Sequence, residues 1–109
     1  MNILERLNAI RAFQRTHMSY LESLEDFDIV CEIGTAQQTG VVLLAKQLVE
    51  GQMGAAATIR RRLDRLVKLG IVTKTIGTND QRTAPLHLSR EALKAYAKLE
   101  KHMERLKSR

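Results

Sequence analysis

The sequence predicts a mainly α-helical chain with one small β-hairpin near its C-terminal end, an α+β fold with the element order α-α-α-α-β-β-α. Two observations carry this prediction. Apolar residues recur at three- and four-residue steps in most of the chain, which is the spacing of one face of a helix. Between residues 71 and 88, a run of β-branched residues instead precedes a Gly-Thr-Asn-Asp sequence and a second short apolar segment, which is typical of two strands and a turn.

The first two helices are predicted from their apolar stripes and their N-terminal residues. The first runs from Asn2 to about His17. The second is capped by Ser19 or Ser23, because each has an acidic residue three positions later, and Gly34 is expected to end it. The side chains expected to face inward on the second helix are those of Leu24, Phe27, Val30, Cys31 and Ile33.

The third and fourth helices are predicted over Val41–Gln52 and Ala55–Leu69, with Met53 and Gly54 between them. Gly70 suits the left-handed conformation that commonly closes a helix. At about 100° per residue, one face of the fourth helix is apolar and is expected to face the core. That face consists of Ala56, Ile59, Leu63, Leu66 and Val67.

The hairpin is predicted to pair Ile71–Ile76 with Thr83–Leu88, and Pro85 is expected at an edge because it has no N–H to donate. Ser89 then caps a last helix that runs to about Lys107. Two helices joined by a short turn and followed by a two-stranded ribbon form a winged helix-turn-helix. We expect a single domain over residues 1–109, with N-terminal helices (1–38), a helix-turn-helix (39–70), a wing (71–88) and a C-terminal dimerisation helix (89–109).

The formal net charge of +6 is concentrated in one part of the chain. Basic residues exceed acidic ones by six in residues 51–90, and the rest of the chain is balanced. A surface that binds a polyanion predicts this asymmetry.

Other classes of function lack a signal in the sequence. The single cysteine excludes an internal disulfide, and no His/Cys cluster has the spacing of a zinc site. Neither a catalytic motif nor a phosphate-binding glycine loop is present, so we expect no enzyme activity, catalytic residue, metal or cofactor. The sequence lacks the features of a secretory signal and of a membrane span, so a cytoplasmic protein without membrane contact is expected.

The outer face of the fourth helix carries the residues expected to contact double-stranded DNA. The major groove is about 12 Å wide and admits a helix, and arginine binds guanine there through two hydrogen bonds. Arg61 is the candidate for a base contact, and Thr58 could pack against a thymine methyl group. The small Ala57 allows close approach. Phosphate contacts are expected from Arg60, Arg62, Arg65 and Lys68.

Residues 56–72 resemble the recognition helix and first wing strand of the MarR family of winged helix-turn-helix regulators, and residues 79–83 with 86–89 are similar to that family's wing. The resemblance covers about residues 43–90. It implies that Arg82 enters the minor groove and that Asp80 braces it, which agrees with the preference of arginine for narrow minor grooves. The chain is shorter than typical members, because one helix follows the wing. A small-molecule effector is implied by the resemblance alone.

We therefore expect a dimeric, sequence-specific transcriptional regulator, mainly a repressor, that binds a short inverted repeat. The apolar stripes of the first and last helices are expected to form the homodimer through Leu4, Leu7, Ile10, Ala92, Tyr96, Leu99, Met103 and Leu106. Two alternatives stay open. A winged-helix module for protein interaction would place an apolar or acidic face where the arginines lie. An accessory DNA-binding protein of replication or of a mobile element would bind with little sequence preference.

Overall fold

The computed structural model describes residues 1–51, 53–75 and 83–107. Within these ranges the elements follow the predicted order, so the predicted fold class is confirmed. They are α1 (Ile3–His17), α2 (Leu24–Gln38), α3 (Ala45–Glu50), α4 (Ala56–Lys68), β1 (Val72–Lys74), β2 (Leu86–Leu88) and α5 (Arg90–Lys107). None of the helices described is both long and apolar enough to cross a membrane.

The chain divides into two compact units. One unit comprises Met1–Glu22 and Arg90–Arg109, and α1 packs against α5 within it. The ring of Phe13 lies 4.4 Å from that of His17 and 5.5 Å from that of His102, measured between centroids. The other unit, Ser23–Ser89, contains the remaining helices and the hairpin. The single domain inferred from chain length stays a prediction.

Side-chain caps fix where α1 and α2 begin. Asn2 Oδ1 accepts a hydrogen bond from the backbone N–H of Glu5 at 2.8 Å. Ser23 and Asp26 form a reciprocal capping box, in which each side chain accepts from the backbone N–H of the other residue. Of the two predicted caps of α2, the structure therefore selects Ser23 and not Ser19.

The prediction that Gly34 ends α2 is wrong, because the helix continues to Gln38. The glycine instead allows α2 to pack closely against β2. A Cβ placed on Gly34 would lie 3.1 Å from Leu88 Cδ1, so a glycine at this point lets the strand approach the helix. The backbone N–H of Leu88 also donates to Gln37 Oε1 at 2.8 Å.

α3 is shorter than the predicted Val41–Gln52, because residues 41–44 precede the helix in non-helical conformation. The backbone of this segment pairs with the chain that leads into β2. Leu43 O accepts from the N–H of Leu86 at 2.9 Å, and the N–H of Ala45 donates to Ala84 O at 3.1 Å. A short apolar run is compatible with a buried extended segment and with a buried helix, so the apolar residues alone did not separate the two.

The same pairing corrects the expected edge position of Pro85. Pro85 forms a bridge with Leu44 on one side, and its carbonyl accepts from the N–H of Thr75 at 3.0 Å on the other. β1 and β2 are antiparallel, with Val72 opposite Leu88 and Lys74 opposite Leu86. The paired strands are shorter than predicted at their hairpin ends. Ile76 and residues 77–82 lie outside the described residues.

The core of Ser23–Ser89 is formed by one face of α4 together with α2, α3 and the strands. Ile59, Leu63 and Leu66 are buried as predicted, and Gly70 follows the helix with φ +77°. Three residues expected to face inward are instead exposed: Ala56 in the first turn of α4, and Leu24 and Cys31 on α2. Ile29 was absent from the predicted set but is fully buried in the core.

Candidate nucleic-acid interface

The outward face of α4 is basic and accessible along its length. Arg60, Arg61 and Lys68 are exposed, and Arg65 is half-buried. With other residues of the helix and its C-cap they line a shallow, open depression of about 660 Å³, whose lining consists of Ala57, Arg60, Arg61, Asp64, Arg65, Lys68 and Leu69. Most of the residues predicted to contact DNA are therefore brought together on one surface.

Small residues surround the N-terminal end of α4. Gly54, Ala55, Ala56 and Ala57 are all exposed, and Ala55 occupies the N-cap position without a side-chain hydrogen bond. The half-buried Thr58 follows them. The first N–H groups of a helix have no partner within it and carry a partial positive charge. This end of α4 can consequently approach a bulky polyanion closely.

Arg62 was predicted to contact phosphate, but the structure directs its side chain to a buried carboxylate. Its Nε donates to Asp26 Oδ1 at 2.9 Å, and its Nη2 pairs with Asp26 Oδ2. Only 13% of the Arg62 side chain is exposed, so it does not share the surface that the other predicted residues form. Asp26 itself, which the sequence indicated only as a capping residue, is a structural partner of α4.

Two lysines outside the predicted set lie next to the basic face of α4. Lys46 on α3 and Lys74 on β1 line a second depression together with Arg60. Lys74 Nζ lies 3.9 Å from Asp64 Oδ1, a distance at the limit of an ion pair. The concentration of charge in residues 51–90 includes Lys74, whereas Lys46 lies in a charge-balanced part of the sequence and carries no such signal.

The wing residues Asp80 and Arg82 lie outside the described residues. Their predicted roles at the minor groove therefore stay predictions.

The residues predicted to form a dimer fall into two groups. Leu4 and Leu7 on α1 are 69% and 49% exposed, and Ile10 is half-buried. On α5, Ala92 and Leu99 are already buried in the single chain. The half-buried remainder of the α5 stripe consists of Tyr96, Met103 and Leu106.

Cys31 is exposed on α2, and its surroundings are acidic. Desolvation raises the pKa of its thiol, and the carboxylates of Asp28 and Glu32 raise it further. A reactive thiol needs the opposite environment. Among the residues that the structure describes, no group of three or more His, Cys, Asp or Glu side chains is arranged to hold a metal ion.

Solved structures with the same fold are transcriptional regulators. The organohalide-sensing regulator RdhR, in its ligand-free form, is 20% identical with a TM-score of 0.58, over 94% of this chain and 58% of that chain. MepR, a transcription regulator of the Staphylococcus aureus multidrug efflux pump MepA, is 10% identical with a TM-score of 0.63, over 96% and 75%. A mutant MarR from E. coli complexed with operator DNA is 18% identical with a TM-score of 0.56, over 87% and 65%.

No family model and no curated protein sequence matches the chain. The chain spans a little over half the length of RdhR and about two thirds to three quarters of the MarR and MepR chains. The fold implied by the sequence resemblance is confirmed, from the paired α3 and α4 to the hairpin that follows them. The chain is a winged helix-turn-helix protein with the fold of MarR-type transcriptional regulators.

Proposed function

We propose that this chain is a sequence-specific regulator of transcription that binds double-stranded DNA through α4. The exposed basic face of α4 carries the proposal, because it combines Arg60, Arg61 and Lys68 with a helix end made of small residues. A major groove admits such a helix, and its arginines can contact both base edges and phosphates. A mutant MarR with the same fold has been solved in complex with operator DNA, which supports DNA as the ligand.

We further propose that the chain acts as a homodimer, which represses transcription by binding a short inverted repeat. A single winged helix neutralises few phosphates, and two copies with half-sites about one helical turn apart reach specific affinity more readily. The exposed Leu4 and Leu7 of α1 support a partner on that face, since burying a leucine contributes about 1.5–3 kcal/mol. The wing residues Asp80 and Arg82 would add minor-groove contacts from each copy.

Selection from a random duplex library at two salt concentrations tests the proposed function. Enrichment of an inverted repeat with half-sites about 10 base pairs apart is the expected result. Salt-sensitive binding without an enriched motif would instead support an accessory DNA-binding protein. Absence of binding at low salt would contradict DNA binding and favour a protein-interaction module.

Sedimentation equilibrium tests the homodimer separately. Replacing both Leu4 and Leu7 by Lys should convert a dimer into a monomer, because charged side chains would have to be buried at the interface. Leu24→Lys is the matched control, because Leu24 is 68% exposed and belongs to the other compact unit. A chain that is monomeric without any substitution, or a double variant that stays dimeric, would contradict this interface.

A further inference from the structure

Asp26 is a fully buried carboxylate at the start of α2 that contacts two arginines of α4. Its Oδ1 accepts from Arg62 Nε at 2.9 Å. Its Oδ2 pairs with Arg62 Nη2, accepts from the backbone N–H of Ser23 at 3.1 Å and lies 3.5 Å from Arg65 Nη1. A buried charge is stable only when it is paired and hydrogen-bonded, and these contacts meet that requirement.

The two arginines differ in how far they reach the surface. Arg62 binds Asp26 through two nitrogens and is 13% exposed, so its role is to hold α4 against the start of α2. Arg65 Nη1 lies 3.5 Å from the same carboxylate, and the Arg65 side chain is 28% exposed. Arg65 also lines the depression on the outward face of α4. Its guanidinium therefore extends from the buried carboxylate to the surface that is proposed to contact DNA.

A guanidinium can contact a buried carboxylate and a DNA phosphate at the same time. Its five N–H donors lie in one plane and point in fixed directions, so one guanidinium can contact a carboxylate and a phosphate oxygen at the same time. Holding one edge also reduces the rotamer freedom that Arg65 would otherwise lose when it binds DNA. A lysine ammonium has the charge but lacks this planar arrangement.

We propose that Asp26 is a positioning residue that orients Arg65 toward a DNA phosphate, while Arg62 anchors Asp26 in place. This inference rests on the proposed function, since it assigns a role within the same DNA-contacting surface. Asp26 does not touch the DNA. It acts through the guanidinium of Arg65, and it does so from an element outside the helix-turn-helix.

The sign of the effect of Asp26→Asn separates positioning from general electrostatics. Asn has nearly the same shape but no charge, so the substitution makes the chain more positive. Charge alone would then strengthen binding to a polyanion. Loss of orientation predicts the opposite, a weakening of about three- to tenfold, because the contact of Arg65 with a phosphate becomes weaker when its guanidinium is no longer held. Asp28→Asn is the matched control, since Asp28 is exposed on the same helix and carries the same charge.

The experiment is a double-substitution cycle on a labelled duplex, measured by fluorescence anisotropy at fixed salt. Asp26→Asn, Arg65→Ala and the combined variant are compared with the unsubstituted chain and with Asp28→Asn. If Asp26 acts through Arg65, Asp26→Asn should change binding by less than about twofold once Arg65 is alanine. An equal loss in both backgrounds would overturn the inference, because it would indicate a general distortion of α4. Tighter binding by Asp26→Asn would overturn it as well.

Arg65→Lys keeps the inference testable if Asp26→Asn does not fold. Arg65 is half-buried at the surface, so this variant is expected to keep the fold. It should bind the duplex nearly as weakly as Arg65→Ala, because the charge is kept but the planar fork is lost. Binding by Arg65→Lys at the unsubstituted level would contradict the inference while leaving the proposed function intact. Failure of the unsubstituted chain to bind any duplex would contradict both.

Discussion

Replacing Arg61 by alanine should abolish base preference at one position of the binding site and leave the fold unchanged. Arg61 is exposed, and it forms no ion pair with another residue that the structure describes. Removing its side chain therefore leaves no buried group without a partner. Surface substitutions of this kind change the free energy of unfolding by less than about 0.5 kcal/mol.

The expected loss of DNA affinity is much larger than that. A bidentate arginine–guanine contact contributes about 1–3 kcal/mol of discrimination. This corresponds to about 5- to 150-fold weaker binding to the preferred duplex. On a duplex with that base pair changed, the unsubstituted chain already lacks the contact, so the two proteins should bind almost equally.

Fluorescence anisotropy with both duplexes, at one fixed salt concentration, measures the effect. Arg15→Ala is the control, because Arg15 is an exposed arginine on α1 and its replacement removes the same charge. Thermal unfolding followed by circular dichroism checks that each variant is folded. Equal losses on both duplexes would refute a base contact and assign Arg61 to a phosphate. A loss no greater than that of Arg15→Ala would remove Arg61 from the interface.

Three further substitutions and one chemical reaction test other features of the chain. Lys68→Ala should weaken binding to all duplexes alike and reduce the salt slope by about one unit, as expected for one lost phosphate contact; an unchanged slope would place Lys68 off the DNA. Leu63→Ala should lower the free energy of unfolding by about 2–5 kcal/mol in denaturant titration, because Leu63 is buried in the core. Gly34→Val should destabilise the chain more than Thr35→Val does, since even the Cβ atom of a side chain at position 34 would lie 3.1 Å from Leu88 Cδ1. Cys31 should react with iodoacetamide more slowly than a model thiol near pH 8, because its raised pKa leaves less thiolate; faster reaction would contradict the acidic environment assigned to it.

The sequence predicted α4 and its surroundings well, because several signals agree there. The apolar face of the helix, the basic residues on its other face and the glycine after its C-cap all point to the same structure. Gly70 has the positive φ expected of a residue after a helix end. Exposure of Arg60, Arg61 and Lys68 follows directly from helical geometry.

Tertiary packing set the features that were missed. Gly34 looked like a helix end, but its lack of a side chain serves the approach of Leu88, which is distant in sequence. The capping role of Asp26 was visible locally. Its second role was not, because the partner Arg62 lies 36 residues later and no local pattern indicates a contact over that separation.

The segment before α3 shows a different limit of sequence reasoning. Residues 41–44 were assigned to the helix because apolar residues continue into it. Their backbone instead pairs with the chain that leads into β2. Short apolar runs suit a buried strand and a buried helix equally, so only the pairing partner decides between them.

The central claim is that the outward face of α4 contacts DNA. Its most direct test is a titration of the ¹⁵N-labelled chain with the duplex obtained by selection, followed through backbone amide and arginine side-chain NMR signals. If this face contacts DNA, the largest shifts fall on residues 54–68, including the Nε–H signals of Arg60 and Arg61, with small shifts along α1. Shifts concentrated on α1 and α5, with α4 unchanged, would contradict it.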